Sequence, residues 1–501
     1  MENNIRFRNH ASVILEKSLK TIGTIFAIFF FNFISDAGET GINGEDIVWL
    51  VGGIIVFCGL VLGYQSLIWA KTYILIEENV LVVERNTINK KRNTIGLKNI
   101  SNVNLEQNLL EMLLGTCKVK LDTNSLSTAD QTDVNIVLKK ADAERFRILV
   151  LAKAEGRDIE EISLTEVTQV EIDAGENLDK NTNRIAGRSK DIILHGLFSI
   201  RIWMIVLLVA IMVIQITMII DLGTEALGES ILEILASLFV AFYFVFIILW
   251  RIVKEFIKYL NFHVERKKDK VYLSYGYFKK VAYSVPVDKI NAIKLTQTPL
   301  ARMCKRYMVE IINVGMDDDE KEENTFFLPY NKLETIQNQL HMLLPEFDGA
   351  LEIKEEKQPA VIWLLSIPWC ILYFVIAAVA YFFAVTYITD VETRSIFILV
   401  YILCTVLLMV AYLIGKLAGF LTKAIKVDEK FLKIVDGAFS KRTLFVKYDK
   451  IQFVTGRQCV IAKHFKIQHG TIFLLASLKN RVHALPYFKE NDMEQLKNQL
   501  I

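Results

Sequence analysis

Six apolar stretches, at roughly 17–35, 47–70, 202–222, 231–250, 359–385 and 396–415, come as three close pairs. A hydrocarbon layer of about 30 Å is crossed by roughly 20 helical residues, so five of the six are long enough to span it. In the first, the purely apolar part runs only from Ile22 to Ile34, and Lys17 and Lys20 must snorkel toward headgroups for it to cross. Composition agrees, with 52% hydrophobic residues, 31 Phe against 7 Pro and a mean hydropathy of +0.34. Basic residues precede the first stretch as in a signal peptide. No small-x-small cleavage pattern follows, and a second apolar run arrives within about fifteen residues, so it reads as a retained span.

The connections inside the pairs, 36–46, 221–230 and 389–395, contain Arg394 and no other Lys or Arg. The outer flanks are basic, from Arg6, Arg8, Lys71 and Arg85 to Arg201, Arg251, Lys254, Lys258, Lys354, Lys357, Lys416, Lys423 and Lys426. The positive-inside rule puts the hairpin tips outside and all else, both termini included, in the cytoplasm. Within the spans the main polar residues are Asn32, Gln65, Gln215 and Glu233, and no His or carboxylate relay suggests ion-coupled transport. Gly59 and Gly63 read equally as a seat for a neighbouring helix or as chance glycines. Pro368 is expected to kink the fifth span.

Between the pairs one strand is written three times. Ile100, Val103 and Gln107 recur as Ile290, Ile293 and Gln297, and again as Ile451, Val454 and Gln458. Repetition at this period sets the architecture: a hairpin followed by a module, three times over. The hairpins occupy 17–70, 202–250 and 359–415, the modules 71–155, 259–345 and 424–501, with a polar linker at 156–190. Each module alternates apolar and polar residues as strands do and closes with an amphipathic helix. Asp142, Asn331 and Asn491 are the expected helix caps, the last two following Leu-Pro-Tyr at 328–330 and 485–487. The first module lacks that proline at 137–140. Gly456 is expected to break the third signature strand, after which "VIAKHF" replaces the leucine-rich turn of the first module. "NHASVILEKSLK" and "SKDIILHGLFSI", each beside a span, have the helical apolar spacing of segments lying along the cytoplasmic interface.

Sites for chemistry are sparse. Net charge is +2, which leaves no whole-chain basic footprint for nucleic acid. The six Cys form no CxxC pair and none falls in a hairpin tip, which suits a reducing compartment. No P-loop, GxSxG or HExxH occurs, and nothing calls for a metal or cofactor. The spacing of His464, His469 and His483 fits no helix face, so they read as strand or surface residues. The acidic run 315–324 lacks the ligand alternation of a calcium loop and reads as a solvated hairpin. Lys90, Lys91 and Arg92, with Arg266, Lys267 and Lys268, are candidates to meet anionic headgroups; the plainer reading is a positive-inside flank and a charged edge strand. The repeated Gln lies on one strand face with aliphatics, where a half-buried amide needs a partner. A structural bond closing a barrel is preferred to ligand contact.

Paired spans, a Tyr-x-Leu/Ile opening, a basic hairpin and Ile-x-x-Val-x-x-x-Gln resemble the bacterial pleckstrin-homology-like type 2 (bPH2) domain. The three-copy arrangement is similar to the YdbT-like membrane proteins of Gram-positive bacteria. The resemblance implies six spans in α-helical hairpins, plus three cytoplasmic α+β PH-like β-barrels, each closed by a C-terminal helix. It implies a bacterial plasma-membrane protein that is not an enzyme and presents binding or assembly modules. The implied role is immunity to, or export of, membrane-active bacteriocin-type peptides. Implied partners are the lipid bilayer, sister PH-like membrane proteins, an ABC-type transporter and a peptide ligand. Two other readings remain: a six-span transporter subunit for a peptide or amphiphile, and an anionic-lipid sensor or scaffold.

Overall fold

The computed structural model describes residues 5–19, 21–24, 26, 44–77, 79–87, 89–123, 136–154, 183–200, 202–221, 231–313, 326–387, 391–476 and 480–500. The apolar run 27–35, the linker up to 182, the tip 222–230 and the acidic run 315–324 lie outside the described residues. The chain divides into two compact units. One is Met1–Thr182 with Asn261–His263 and Tyr272–Val285; the other is Asn183–Leu260 with Val264–Val271 and Pro286–Ile501.

Gly52–Ala70, Ala360–Tyr387 and Arg394–Thr422 are long and apolar enough to cross a membrane. Leu60, Leu67, Phe382, Leu399 and Leu407 on these helices are exposed, as side chains solvated by lipid should be. Stretches 202–222 and 231–250 fall in the helices Ile202–Asp221 and Ile231–Tyr259. Pro368 is the second residue of the α-helix Ile367–Tyr387, directly behind the 3-10 segment Ala360–Ser366, so the span Ala360–Tyr387 changes its winding at this proline.

The first unit opens with a four-stranded meander: β1 (Ile5–Phe7), β2 (Thr72–Ile76), β3 (Val80–Asn86) and β4 (Lys90–Gly96). β1 comes from the segment before the hairpin and lies antiparallel to β2, with Ile5 opposite Ile76. β5 (Ile100–Gln107), β6 (Thr116–Thr123) and β7 (Ile136–Lys139) form a second antiparallel set. The helix Lys140–Ala154 sets Ala143, Phe146, Leu149 and Val150 at helical spacing over both. They join Ile74, Leu81, Val103, Leu105, Val119 and Ile136 in one core. Phe146 is fully buried, so Phe146→Ala would cost about 3–5 kcal/mol. Asp142 is not the cap: the helix starts at Lys140, and Asp142 sits in the first turn, where a carboxylate still suits the dipole.

The second repeat continues with β8 (Asn183–Ala186), β9 (His263–Lys267), β10 (Lys270–Tyr275) and β11 (Lys280–Pro286). β11 pairs antiparallel with β5 of the first repeat, Lys280 opposite Gln107.

The second unit contains a seven-stranded sheet that repeats this junction. It takes β12 (Ile290–Gln297), β13 (Tyr307–Asn313) and β14 (Phe326–Asn331) from the second repeat. From the third it takes β15 (Glu356–Lys357), β16 (Ala424–Val427), β17 (Phe431–Gly437) and β18 (Lys441–Lys447). The order is β14-β13-β12-β18-β17-β16-β15. β19 (Ile451–Arg457), β20 (Ile467–Leu474) and β21 (Val482–Lys489) form a separate three-stranded sheet, followed by the helix Glu490–Leu500. The core between them holds Val427, Leu432, Leu444, Ile472, Leu485, Phe488 and Leu496. It also holds Ala292 and Ile312, which belong to the second repeat.

The expected self-contained barrels are therefore not built; no closed barrel appears among the described residues. Two of the three modules hand their signature strand to the next module, which satisfies edge N–H and C=O groups that a lone half-sheet would expose. Asn331 and Asn491 are not caps either. The first is the last residue of β14 and accepts from Lys332 N and Arg306 Nη1, and the second lies inside Glu490–Leu500.

Candidate assembly surfaces

The three signature strands share more than their spacing. Each has a register shift after its first residue, between Ile100 and Asn102, Ile290 and Ala292, and Ile451 and Phe453. The first two end in Gln, the third stops at Arg457 just before Gln458, and each Gln is followed by a capping residue and a five-residue helical turn. Asn108 caps Leu109–Leu113 in a reciprocal box with Glu111, Thr298 caps Pro299–Met303, and the Cys459 sulfur accepts from Ala462 N ahead of Val460–His464. Each turn leaves through a left-handed residue: Gly115, Lys305 or Lys466. The Gln Nε2 then donates to the next carbonyl, 2.8 Å from Gln107 to Thr116, 3.0 Å from Gln297 to Arg306 and 3.2 Å from Gln458 to Ile467. Each Gln thus ties the end of its strand to the start of the next across the helical turn. Gly456 does not break β19, which runs on to Arg457, and a Cβ there would stand 2.9 Å from the Met493 methyl.

Strand addition uses one register at both junctions. Lys280, the first residue of β11, lies opposite Gln107, and Lys441, the first residue of β18, lies opposite Gln297. At the first junction the buried Glu106 carboxylate meets Lys120 at 2.9 Å and Lys279 at 3.4 Å. At the second, Glu310 takes a hydrogen bond from Thr296 at 2.6 Å and pairs with Lys294 at 3.1 Å. A polar crevice of about 540 Å³ opens there among Lys294, Glu310, Asp436, Arg442 and His483. Its mixed charges leave no single-sign ligand favoured.

The helical turns carry exposed apolar side chains: Leu109, Leu110, Leu113 and Leu114 in the first repeat, Met303 in the second, and Val460, Ile461 and Phe465 in the third. Arg302 Nη1 places the second turn at a span end, donating to Thr422 Oγ1 and Ala438 O, both at 2.9 Å.

At the base of the first repeat, Trp69 Nε1 donates to Asn9 O at 2.7 Å and Arg8 stacks 4.0 Å from the Trp69 ring. A crevice of about 100 Å³ there is bordered by Lys17, Arg85 and Lys91. At the base of the third, Trp363 and Phe420 meet with ring centres 5.8 Å apart beside a crevice of about 460 Å³ that reaches Lys416, Asp436 and Tyr487. The second repeat fills its base. The helix Ser189–Phe198 packs closely on Ile231–Tyr259, where a Cβ on Gly196 would stand 2.8 Å from Ile252 O. His195 is buried among Tyr259, Phe326 and Tyr330, with ring centres 4.9, 5.1 and 5.3 Å away. Burial, helped by Lys258, pushes its pKa down to about 3, so the ring is neutral, and its Nδ1 has no partner among the described residues. The helix read as interfacial is therefore docked through His195 and Phe198; Ile193 and Leu197 on it stay exposed. Gly196 beside a histidine in an apolar run was the signal available for this packing.

The remaining sequence candidates scatter. Lys90, Lys91 and Arg92 are exposed on β4, with Arg92 3.4 Å from Glu77. Arg266 is committed elsewhere: its guanidinium makes a two-pronged bond to Glu346, at 2.8 and 2.7 Å, and donates to Leu343 O at 3.1 Å. Lys267 pairs with Glu265 at 2.9 Å, and Lys268 holds a left-handed turn. His464 packs on Phe465, His469 on Tyr487, and His483 Nε2 lies 2.8 Å from Asn480 O.

Apolar helices alternating with strand-sharing modules define a membrane protein of repeated PH-type units, and the sequence comparisons agree. Residues 26–154, 197–344 and 341–501 each match the bacterial PH domain, so the chain belongs to that family. It is YdbT-like, being 23% identical over 351 residues to the UPF0699 transmembrane protein YdbT of Bacillus subtilis (strain 168). The match covers 66% of each chain, so the chain spans just under two thirds of that relative's length. No solved structure matches it.

Proposed function

We propose that this is a non-enzymatic assembly protein of the bacterial plasma membrane, whose modules join to one another and to partners by adding strands to sheets. One observation carries the reading: the junctions β5 with β11 and β12 with β18 set a Gln opposite a Lys in the same antiparallel register. A module that completes its neighbour through main-chain pairing is a docking device by construction. The distribution of Lys and Arg supports cytoplasmic modules and termini with the hairpin tips outside. Co-purification from gently solubilised membranes tests the reading. The intact chain should bring down copies of itself or a membrane partner such as a sister PH-like protein or an ABC-type transporter, and Phe453→Lys on β19 should lose them. A chain that runs alone in both forms refutes it.

The finer role, immunity to or export of membrane-active bacteriocin-type peptides, rests on the family resemblance. Unchanged peptide sensitivity and unchanged peptide secretion after gene deletion would remove it. A second reading, contact with anionic lipid, is favoured by Lys17, Arg85 and Lys91 around the first crevice. The full chain in anionic nanodiscs should then melt higher than in neutral ones, and salt should erase the difference.

A further inference from the structure

Among the described residues the strand-sharing pattern leaves one edge strand in the first repeat and one in the third. β5 and β12 each take on the third strand of the following module, β11 and β18. β19 is the same strand in the third repeat, and among the described residues it stands at the edge of its sheet with β20 on one side only. β4 corresponds to β11 and β18, having the same seven-residue length and a 3-10 turn after it, and it is likewise an edge strand. Burial follows pairing. β12 is buried along most of its length, whereas β19 and β4 are largely exposed.

The side chains of β19 point the same way. Ala292 and Ile312, paired across β12 and β13, sit in the core of the third module. Phe453 and Phe473 are the equivalent pair on β19 and β20; they stack 3.9 Å apart, and Phe453 is 48% exposed. An aromatic pair thus occupies the position that the preceding repeat uses to enter its neighbour's core.

We propose that β19 of one copy pairs antiparallel with β4 of a second copy, continuing head to tail the arrangement that the chain uses within itself. This rests on the assembly reading above and names its partner. The chain carries both halves of the missing junction. In the shared register Lys90 falls opposite Gln458, as Lys280 does opposite Gln107 and Lys441 opposite Gln297. Asn93 then falls opposite Thr455, and Lys91 opposite Arg457. That last pair sets like charges face to face, which weakens the contact and gives it a signature. Such heterologous contacts close into rings or extend as rows.

The test uses the full-length chain in native membranes, with two tags co-expressed and Cys304, Cys404 and Cys459 changed to Ser. Asn93→Cys in one copy and Thr455→Cys in the other should give a mixed-tag disulfide. Asn93→Cys with Val454→Cys, one residue out of register, should give several-fold less. Arg457→Glu should raise the in-register yield several-fold, and adding Lys91→Glu should bring it back down. Far-UV circular dichroism of each purified variant checks that it is folded. Equal yields in and out of register, or indifference to Arg457→Glu, overturn the proposal. If Thr455→Cys cross-links instead to a different membrane protein, self-pairing falls while the assembly reading stands. If it cross-links to nothing, both fall.

Discussion

The second and third repeats are built from the same parts and put them to different use. In the second, β12 is paired on both sides and the base is packed by His195; in the third, β19 is paired on one side and an open crevice lies beside Trp363. The strand itself hardly differs, since both copies have the bulge, the Gln bond and the helical turn. What differs is the pairing: β12 has β18 alongside, and β19 has no second neighbour among the described residues. Burial along the signature strand follows that pairing, and an edge becomes interior once a neighbour is added.

The contrast can be broken most forcefully at Ala292 and its equivalent Phe453. Ala292 is fully buried, so Ala292→Asp places an unpaired charge in the core and should cost about 3–5 kcal/mol in denaturant unfolding. Phe453→Asp should cost under about 1 kcal/mol, because the side chain is half exposed. Equal losses would mean that the two strands are not in different environments.

His195 sharpens the comparison at the base. Its folded pKa of about 3 lies below the ordinary 6.5, so the unfolded chain takes up a proton that the buried ring refuses. Stability is then full above pH 6.5 and falls on acidification by about 1.4 kcal/mol per pH unit. His195→Phe should flatten the melting temperature between pH 6.5 and 5, and no variant at Trp363 should do so.

The Gln bonds should rank by burial. Gln297 is buried and Gln458 exposed, so Gln297→Leu strands the Arg306 carbonyl and should cost about 1–3 kcal/mol, against about 0.5 for Gln458→Leu. Glu346→Gln should cost about as much as losing one exposed hydrogen-bonded pair, up to about 1 kcal/mol. The hydrogen bond from Arg266 holds the Glu346 carboxyl below the usual range. The pair's contribution is therefore full above the ordinary carboxylate pKa and is lost as pH falls below it and through the lowered folded value. The variant should remove that part of the acid sensitivity.

Much of the repeat was legible in the residues. Ile100, Val103 and Gln107 and their two echoes mark the strand, and the stretches 47–70, 359–385 and 396–415 mark the three described helices long and apolar enough to cross a membrane. The strand's neighbour was not legible, because alternation tells which face is buried and not which strand lies alongside. The acceptor of each Gln was hidden for a related reason. Leu109–Leu113, Pro299–Met303 and Val460–His464 share a backbone course and little sequence, so the fixed step of nine residues to Thr116, Arg306 and Ile467 had no motif. Caps were sought at Asp142, Asn331 and Asn491, before the long helices. They lie instead just after the Gln, at Asn108, Thr298 and Cys459, where a short turn offers little periodicity to announce them.

The central claim is that consecutive repeats share a sheet, and an intrachain disulfide across β12 and β18 tests it most directly. Lys294 lies opposite Leu444. In the full-length protein with its exposed cysteines replaced, Lys294→Cys with Leu444→Cys should oxidise readily within one chain. Lys294→Cys with Phe445→Cys, one residue out of register, should stay reduced. Oxidation of both pairs alike, or of neither, would contradict the shared sheet.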